Sequence, residues 1–158
     1  MTEQRTVSTD RLVDAMEEAF ERGQELTLVI TGWSMMPTLR PHRDKAILVS
    51  PERRPLKKNE IAIFKRPDGH LVIHRVIRIN EAAGTVTLNG DAQSWTEDRD
   101  IDSLLGVAEA VVRKGRRISC DGFWWKFYVN LWAVTRPVRG LLVAARRKIL
   151  HTGAQPED

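Results

Sequence analysis

Leu71-Val72-Ile73-His74-Arg75-Val76-Ile77 is a run of aliphatic residues interrupted by one imidazole and one guanidinium. At a period of two, Leu71, Ile73, Arg75 and Ile77 share one face, and Val72, His74, Val76 and Arg78 share the other. The run is short, rich in β-branched side chains and bounded by turn residues, so it reads as a strand. Working outward, similar runs recur at Leu26 to Ile30, Ala46 to Val49, Ile61 to Phe64, Leu71 to Ile79, Thr85 to Leu88 and Leu105 to Val112. Turns such as Arg66-Pro67-Asp68-Gly69 and Ala83-Gly84 separate them. This pattern predicts a mainly β protein, built as a compact, coiled antiparallel sheet or small barrel.

The flanks differ from this middle. Leu12, Val13, Met16 and Phe20 repeat at helical spacing between Asp10 and Glu21, with Thr9 or Ser8 as cap and Gly23 as stop. After Asp121-Gly122, six aromatics crowd positions 123 to 132, and Arg136-Pro137 and a basic run from Leu141 to Leu150 follow. That predicts a helix, a break at Pro137 and a second amphipathic helix, with a frayed tail from His151 to Asp158. The expected organisation is an N-terminal amphipathic helix over 1–24, a β domain over 25–119, and a C-terminal helical extension and tail over 120–158.

Bulk properties bound the function. The 158 residues are 42% hydrophobic and 29% charged, which suits one soluble globular domain. The apolar runs are too short to span a bilayer, and the polar start from Met1 to Asp10 is no secretory signal. A single cysteine, Cys120, permits neither an internal disulfide nor a thiolate-rich zinc site, so no metal or cofactor is expected. The compartment expected by default is the cytoplasm. Net charge is +4, with basic clusters at Arg53–Lys58, Arg113–Arg117 and Arg136–Lys148. They read as solvated faces or as attraction to anionic lipid. No helix-turn-helix, zinc-finger or ribonucleoprotein signature accompanies them, so nucleic acid is not the expected partner.

Three segments carry chemistry. Gly32-Trp33-Ser34-Met35-Met36-Pro37-Thr38-Leu39 holds a serine between a flexible and a rigid residue; Val72-Ile73-His74-Arg75-Val76 holds a histidine; Asn89-Gly90-Asp91-Ala92 holds an aspartate. Singly, each has a plain structural reading as turn serine, core histidine and turn aspartate. Together they supply a nucleophile, a base and an acid. His42, His70 and His151 sit in turns or the tail and make poorer bases. Glu97, Asp98, Asp100 and Asp102 follow closely on Asp91, so an acid is easy to supply.

The first segment is similar to the serine box, Gly-x-Ser-Met-x-Pro-Thr-Leu, of type I signal peptidases. Asn59-Glu60-Ile61-Ala62-Ile63-Phe64, His74-Arg75-Val76-Ile77, Asn89-Gly90-Asp91-Ala92 and Leu105-Gly106-Val107-Ala108 resemble four further boxes of that family, in order, across residues 28 to 112. Histidine rather than lysine at position 74 resembles the archaeal and endoplasmic-reticulum branch. The resemblance implies the signal peptidase/LexA-like fold and a serine endopeptidase that cleaves a leader or propeptide through an acyl-enzyme. It implies Ser34 as nucleophile and His74 as general base, with the acid left among Asp91, Glu97 and Asp98. Ser34 would supply its backbone N–H to the oxyanion, and His74 would work near an ordinary imidazole pKa. An extended substrate peptide would add beside Val29 to Thr31, with Met35 and Met36 lining the groove.

Type I signal peptidases carry a membrane anchor before the serine box, where this chain carries a soluble amphipathic helix. Two partners therefore stand for residues 123–150 besides the peptide substrate: the cytosolic membrane surface, peripherally bound, or a partner protein. Their rings could equally cover the β domain's own apolar face. The alternative function is a catalytically idle or regulatory module on the same fold. A self-cleaving repressor is disfavoured, because no Ala-Gly or Cys-Gly pair precedes Ser34 and the base is not lysine.

Overall fold

The structure is a computed structural model and describes residues 8–138. Helix α1 (Thr9–Glu21) opens on Ser8, whose Oγ accepts the Arg11 N–H at 3.5 Å. Of the two expected caps, Ser8 is the one used. Eight strands follow: β1 (Leu26–Val29), β2 (Asp44–Val49), β3 (Ile61–Lys65), β4 (Leu71–Asn80), β5 (Thr85–Asn89), β6 (Glu97–Asp100), β7 (Leu104–Arg113) and β8 (Arg116–Ser119). Helix α2 (Phe123–Val134) follows β8.

All pairings are antiparallel, in the order β1-β2-β7-β3-β4-β5-β6, and the sheet curls into a half-barrel. Strand β7 joins the two halves. One of its edges carries β2, and the other carries β3 near residues 104–107 and β8 near residues 110–113. Register shifts at Ile47/Leu48, Ile63/Phe64 and Val76/Arg78 are bulges, the device that bends a sheet this sharply.

The curl buries both faces of the central strands. Ile61 and Ile63 point into a core with Met16, Met35, Leu39, Leu48 and Val111, while Ala62 and Phe64 point into a second core with Val76, Val86 and Leu88. Removing such a side chain from water contributes roughly 1.5–3 kcal/mol. Helix α1 covers the first core with Met16 and Phe20. Gly106 lets it sit close, since a Cβ there would lie 3.2 Å from the Phe20 ring.

Four expectations need correction. The alternation of β4 breaks at its bulge: Val76 pairs with Leu88 and Arg78 with Thr87, so Ile79, not Arg78, follows Val72 and Val76 into the second core. Two strands, β6 and β8, carry almost no apolar residues and have no hydrophobic signature. The break expected at Pro137 comes two residues earlier, at Thr135, and residues 136–138 begin a new helical turn. The aromatic helix does not simply cover the sheet: only Trp125 and Val129 of α2 are buried. The amphipathic run over 141–150 and the tail lie outside the described residues.

Candidate active site

Ser34 sits in the β1–β2 connection, a run of tight turns in which Met36 N–H donates to the Trp33 carbonyl at 3.1 Å and Leu39 N–H to the Met35 carbonyl at 2.9 Å. The Met36–Pro37 bond is cis. Met35 and Leu39 sink into the core and anchor the loop from below. Its far end is held by Asp44, fully buried beneath it. Burial pushes that carboxyl up, but bonds from Arg43, Arg113 and the Arg40 N–H outweigh this and hold it well below the usual carboxylate range.

The Asn89-Gly90-Asp91-Ala92 turn reaches the same loop. Ala92 N–H donates to the Ser34 carbonyl at 2.8 Å. Glycine is required at 90, because a Cβ there would lie 2.7 Å from that carbonyl oxygen. Asp91 meets Arg75: Nε to Oδ1 is 2.7 Å and Nη2 to Oδ2 is 2.6 Å, with both side chains fully buried. Arg75 also donates to the Asn59 carbonyl at 2.8 Å and to Thr38 Oγ1 at 3.3 Å. This bidentate pair binds the aspartate turn, the serine loop and β4 together.

His74, adjacent to Arg75, is also fully buried. Its ring stands edge-on to Phe64 with centroids 5.7 Å apart. Its Nδ1 lies 3.4 Å from Glu97 Oε1, and neither ring nitrogen completes a hydrogen bond among the described residues. Glu97 accepts from Arg66, with Nε at 2.9 Å from Oε2 and Nη2 on Oε1, and from Arg99 Nη2 at 2.9 Å. Arg66 is the main cause that keeps the Glu97 carboxyl below its ordinary value. Burial is what drives His74 down, to about 4; the carboxylate opposes this, and Arg66 and Arg99 add to it. The expectation of an ordinary imidazole pKa is thus corrected: the ring is desolvated and neutral at pH 7.

Ser34 and His74 both line one groove of about 600 Å³. Val29, Thr31 and Met35 line it too, and Val29 ends β1, the outermost strand on that side of the sheet. Met36 is not among the residues that line it, which corrects its expected place. Of the three acids, Glu97 faces His74 and Asp91 faces Arg75. Asp98 alternates to the outside of β6 and accepts from Thr87 Oγ1 at 2.6 Å.

No family model, curated protein or solved structure matches this chain.

Reasoning from sequence missed Arg66, Arg99 and Gln93. Arg66 and Gln93 line the groove, and Arg66 with Arg99 sets the charge around the imidazole. Arg66 and Gln93 lie in turns and Arg99 in a charged strand, contexts that carry no motif. The exposed His70 also lines the groove, with Nδ1 3.2 Å from Asp68 Oδ1, so the groove holds a second imidazole. Among the described residues no group of three His, Cys, Asp or Glu side chains could hold a metal. Chemically, a neutral imidazole can accept a hydroxyl proton, and a carboxylate at its Nδ1 stabilises the cation that forms.

Proposed function

We propose that this chain is a serine endopeptidase similar to type I signal peptidases, cleaving a leader or propeptide. The observation that carries this reading is the shared groove: Ser34 and His74 line it, and Glu97 Oε1 lies 3.4 Å from the imidazole Nδ1. His74 takes the Ser34 proton as Oγ bonds to the peptide carbonyl carbon. The C–N bond then breaks, and the amine leaves with that proton. Water, deprotonated by the same imidazole, releases the acid and restores the hydroxyl. The substrate lies extended along β1 beside Val29 and Thr31, over the apolar floor made by Met35, Leu28 and Ile73.

The test is a serine-directed acylating probe with the modified residue mapped. Ser34 should be labelled in the intact protein and in His70→Ala, and unlabelled in His74→Ala. Labelling lost in His70→Ala instead would move the base to the exposed histidine. An intact fold whose Ser34 never reacts would refute the hydrolase.

One observation favours the alternative, an idle or regulatory module: Glu97 is already committed to two arginines, and His74 completes no hydrogen bond among the described residues. For placement, we propose the cytosolic membrane face, peripherally bound. No helix among the described residues is long and apolar enough to cross a membrane, and α2 presents aromatic side chains to solvent.

A further inference from the structure

Helix α2 is two-faced in an unusual sense. Trp125 and Val129, one turn apart, plug the first core. Asn130 accepts from Asn59 Nδ2 at 3.1 Å and so ties the helix to the turn that receives Arg75. The opposite face is apolar and open: Phe123 is 73% exposed, Trp124 77%, Phe127 54% and Leu131 54%. The three rings pack on one another, with Phe123–Trp124 centroids 5.3 Å apart and Trp124–Phe127 6.3 Å apart. An exposed aromatic cluster on a helix anchored by Trp125, Val129 and Asn130 is a candidate binding surface rather than a loose end.

Charge identifies the occupant. Lys57 and Lys58 line the depression beside α2, together with Lys126, which is paired with Asp121. The acids at this rim are already countered: Asp121 is held by Arg54 and Lys126, and Glu60 by Arg54. From Gly122 to Pro156 the sequence contains Lys126, Arg136, Arg139, Arg146, Arg147 and Lys148 and no aspartate or glutamate. A protein partner would have to match this with a dense acidic patch around an apolar centre. A bilayer with anionic headgroups offers that combination over any area, and Trp and Phe favour its interface.

We propose that α2 is a lipid-docking face that seats Phe123, Trp124, Phe127 and Leu131 in the interface of an anionic bilayer, with the lysines at the headgroups. This deepens the peripheral placement proposed above and rests on it, but not on the peptidase chemistry. The full chain should co-sediment with vesicles of equimolar phosphatidylcholine and phosphatidylglycerol about tenfold more strongly than with phosphatidylcholine alone. Trp124→Ala/Phe127→Ala should lose binding to both, with unchanged far-UV circular dichroism, because neither ring reaches the core. Lys57→Glu/Lys58→Glu should lose only the preference for the anionic vesicles. Equal partitioning of the aromatic variant and the parent would overturn the proposal. So would a chain that ignores vesicles, whether it dimerises, a second copy covering the stripe, or stays monomeric, its own residues doing so. Ser34 labelling is scored separately, so either reading can fail alone.

Discussion

The His74 imidazole and the Glu97 carboxylate face each other at 3.4 Å inside the fold, and the carboxylate simultaneously serves two arginines. The ring is therefore kept neutral by burial and beside a charge that would welcome its proton. Two consequences can be measured. As a base, His74 should stay competent from about pH 8 down to about pH 5, so Ser34 labelling should be nearly flat over that range and fall below it. A fall beginning near pH 6.5 would mean the ring is wet.

Stability should follow the same residue with the opposite emphasis. His74 titrates near 4 when folded and near 6.5 when unfolded, so between these values the unfolded chain binds the extra proton. Stability is full above pH 6.5 and declines as pH falls toward 4, by about 3 kcal/mol from this group. Glu97, whose carboxyl is held low, adds a loss in the carboxylate range. Urea midpoints at about pH 7 and about pH 4.5 should differ clearly less in His74→Gln than in the parent.

Arg75 and Asp91 form a buried pair whose halves are not independent. Asp91→Ala leaves a guanidinium uncompensated in the core and should cost about 3–5 kcal/mol in urea unfolding. The double change Arg75→Met/Asp91→Leu should recover most of that, since an apolar pair of similar volume avoids the desolvation cost. A double variant no better than the single one would show that the pair's bonds to Thr38 and Asn59 matter more than its charges.

Gly90 presses on the Ser34 carbonyl. Gly90→Ala must push the Ser34 loop or the Gln93 side chain aside, because the added carbon meets both within 3 Å. The expected stability loss is about 1–3 kcal/mol. Ser34 labelling should drop more than tenfold (about 1.4 kcal/mol of barrier) while the fold survives. Parent-like labelling would mean the loop absorbs the carbon without moving Oγ.

The two neighbouring tryptophans of α2 should behave oppositely. Trp125→Ala opens a cavity beside Cys120 and Ile61 and should cost about 3–5 kcal/mol. Trp124→Ala should stay within about 0.5 kcal/mol in the absence of vesicles. Similar losses from both would contradict the exposure of Trp124.

Much of this architecture was legible because its signals are local. Six strands announce themselves through short β-rich apolar runs, and α1 through its Leu12, Met16 and Phe20 stripe. Strands β6 and β8 do not, since Glu-Asp-Arg-Asp and Arg-Arg-Ile-Ser become strands only by pairing with β5 and β7. Ser34, His74 and the acids could be named as types in order, but choosing Glu97 over Asp91 for the imidazole depends on β6 lying at the end of the sheet beyond β5. A strand without a hydrophobic signature hides that. Nor does a hydropathy count foretell that both His74 and Arg75 vanish from solvent, because two consecutive buried polar residues require a sheet that closes over both of its faces.

The placement of β7 bears on how the protein comes to exist on the ribosome. Ser34 belongs to the β1–β2 hairpin and His74 to the β3–β6 meander, and residues 104–113 are the seam between them. A nascent chain shorter than that seam holds two half-sheets with raw edges, joined only by contacts such as Ala92 N–H to the Ser34 carbonyl and Arg75 to Thr38, and lacks the strand that pairs with both.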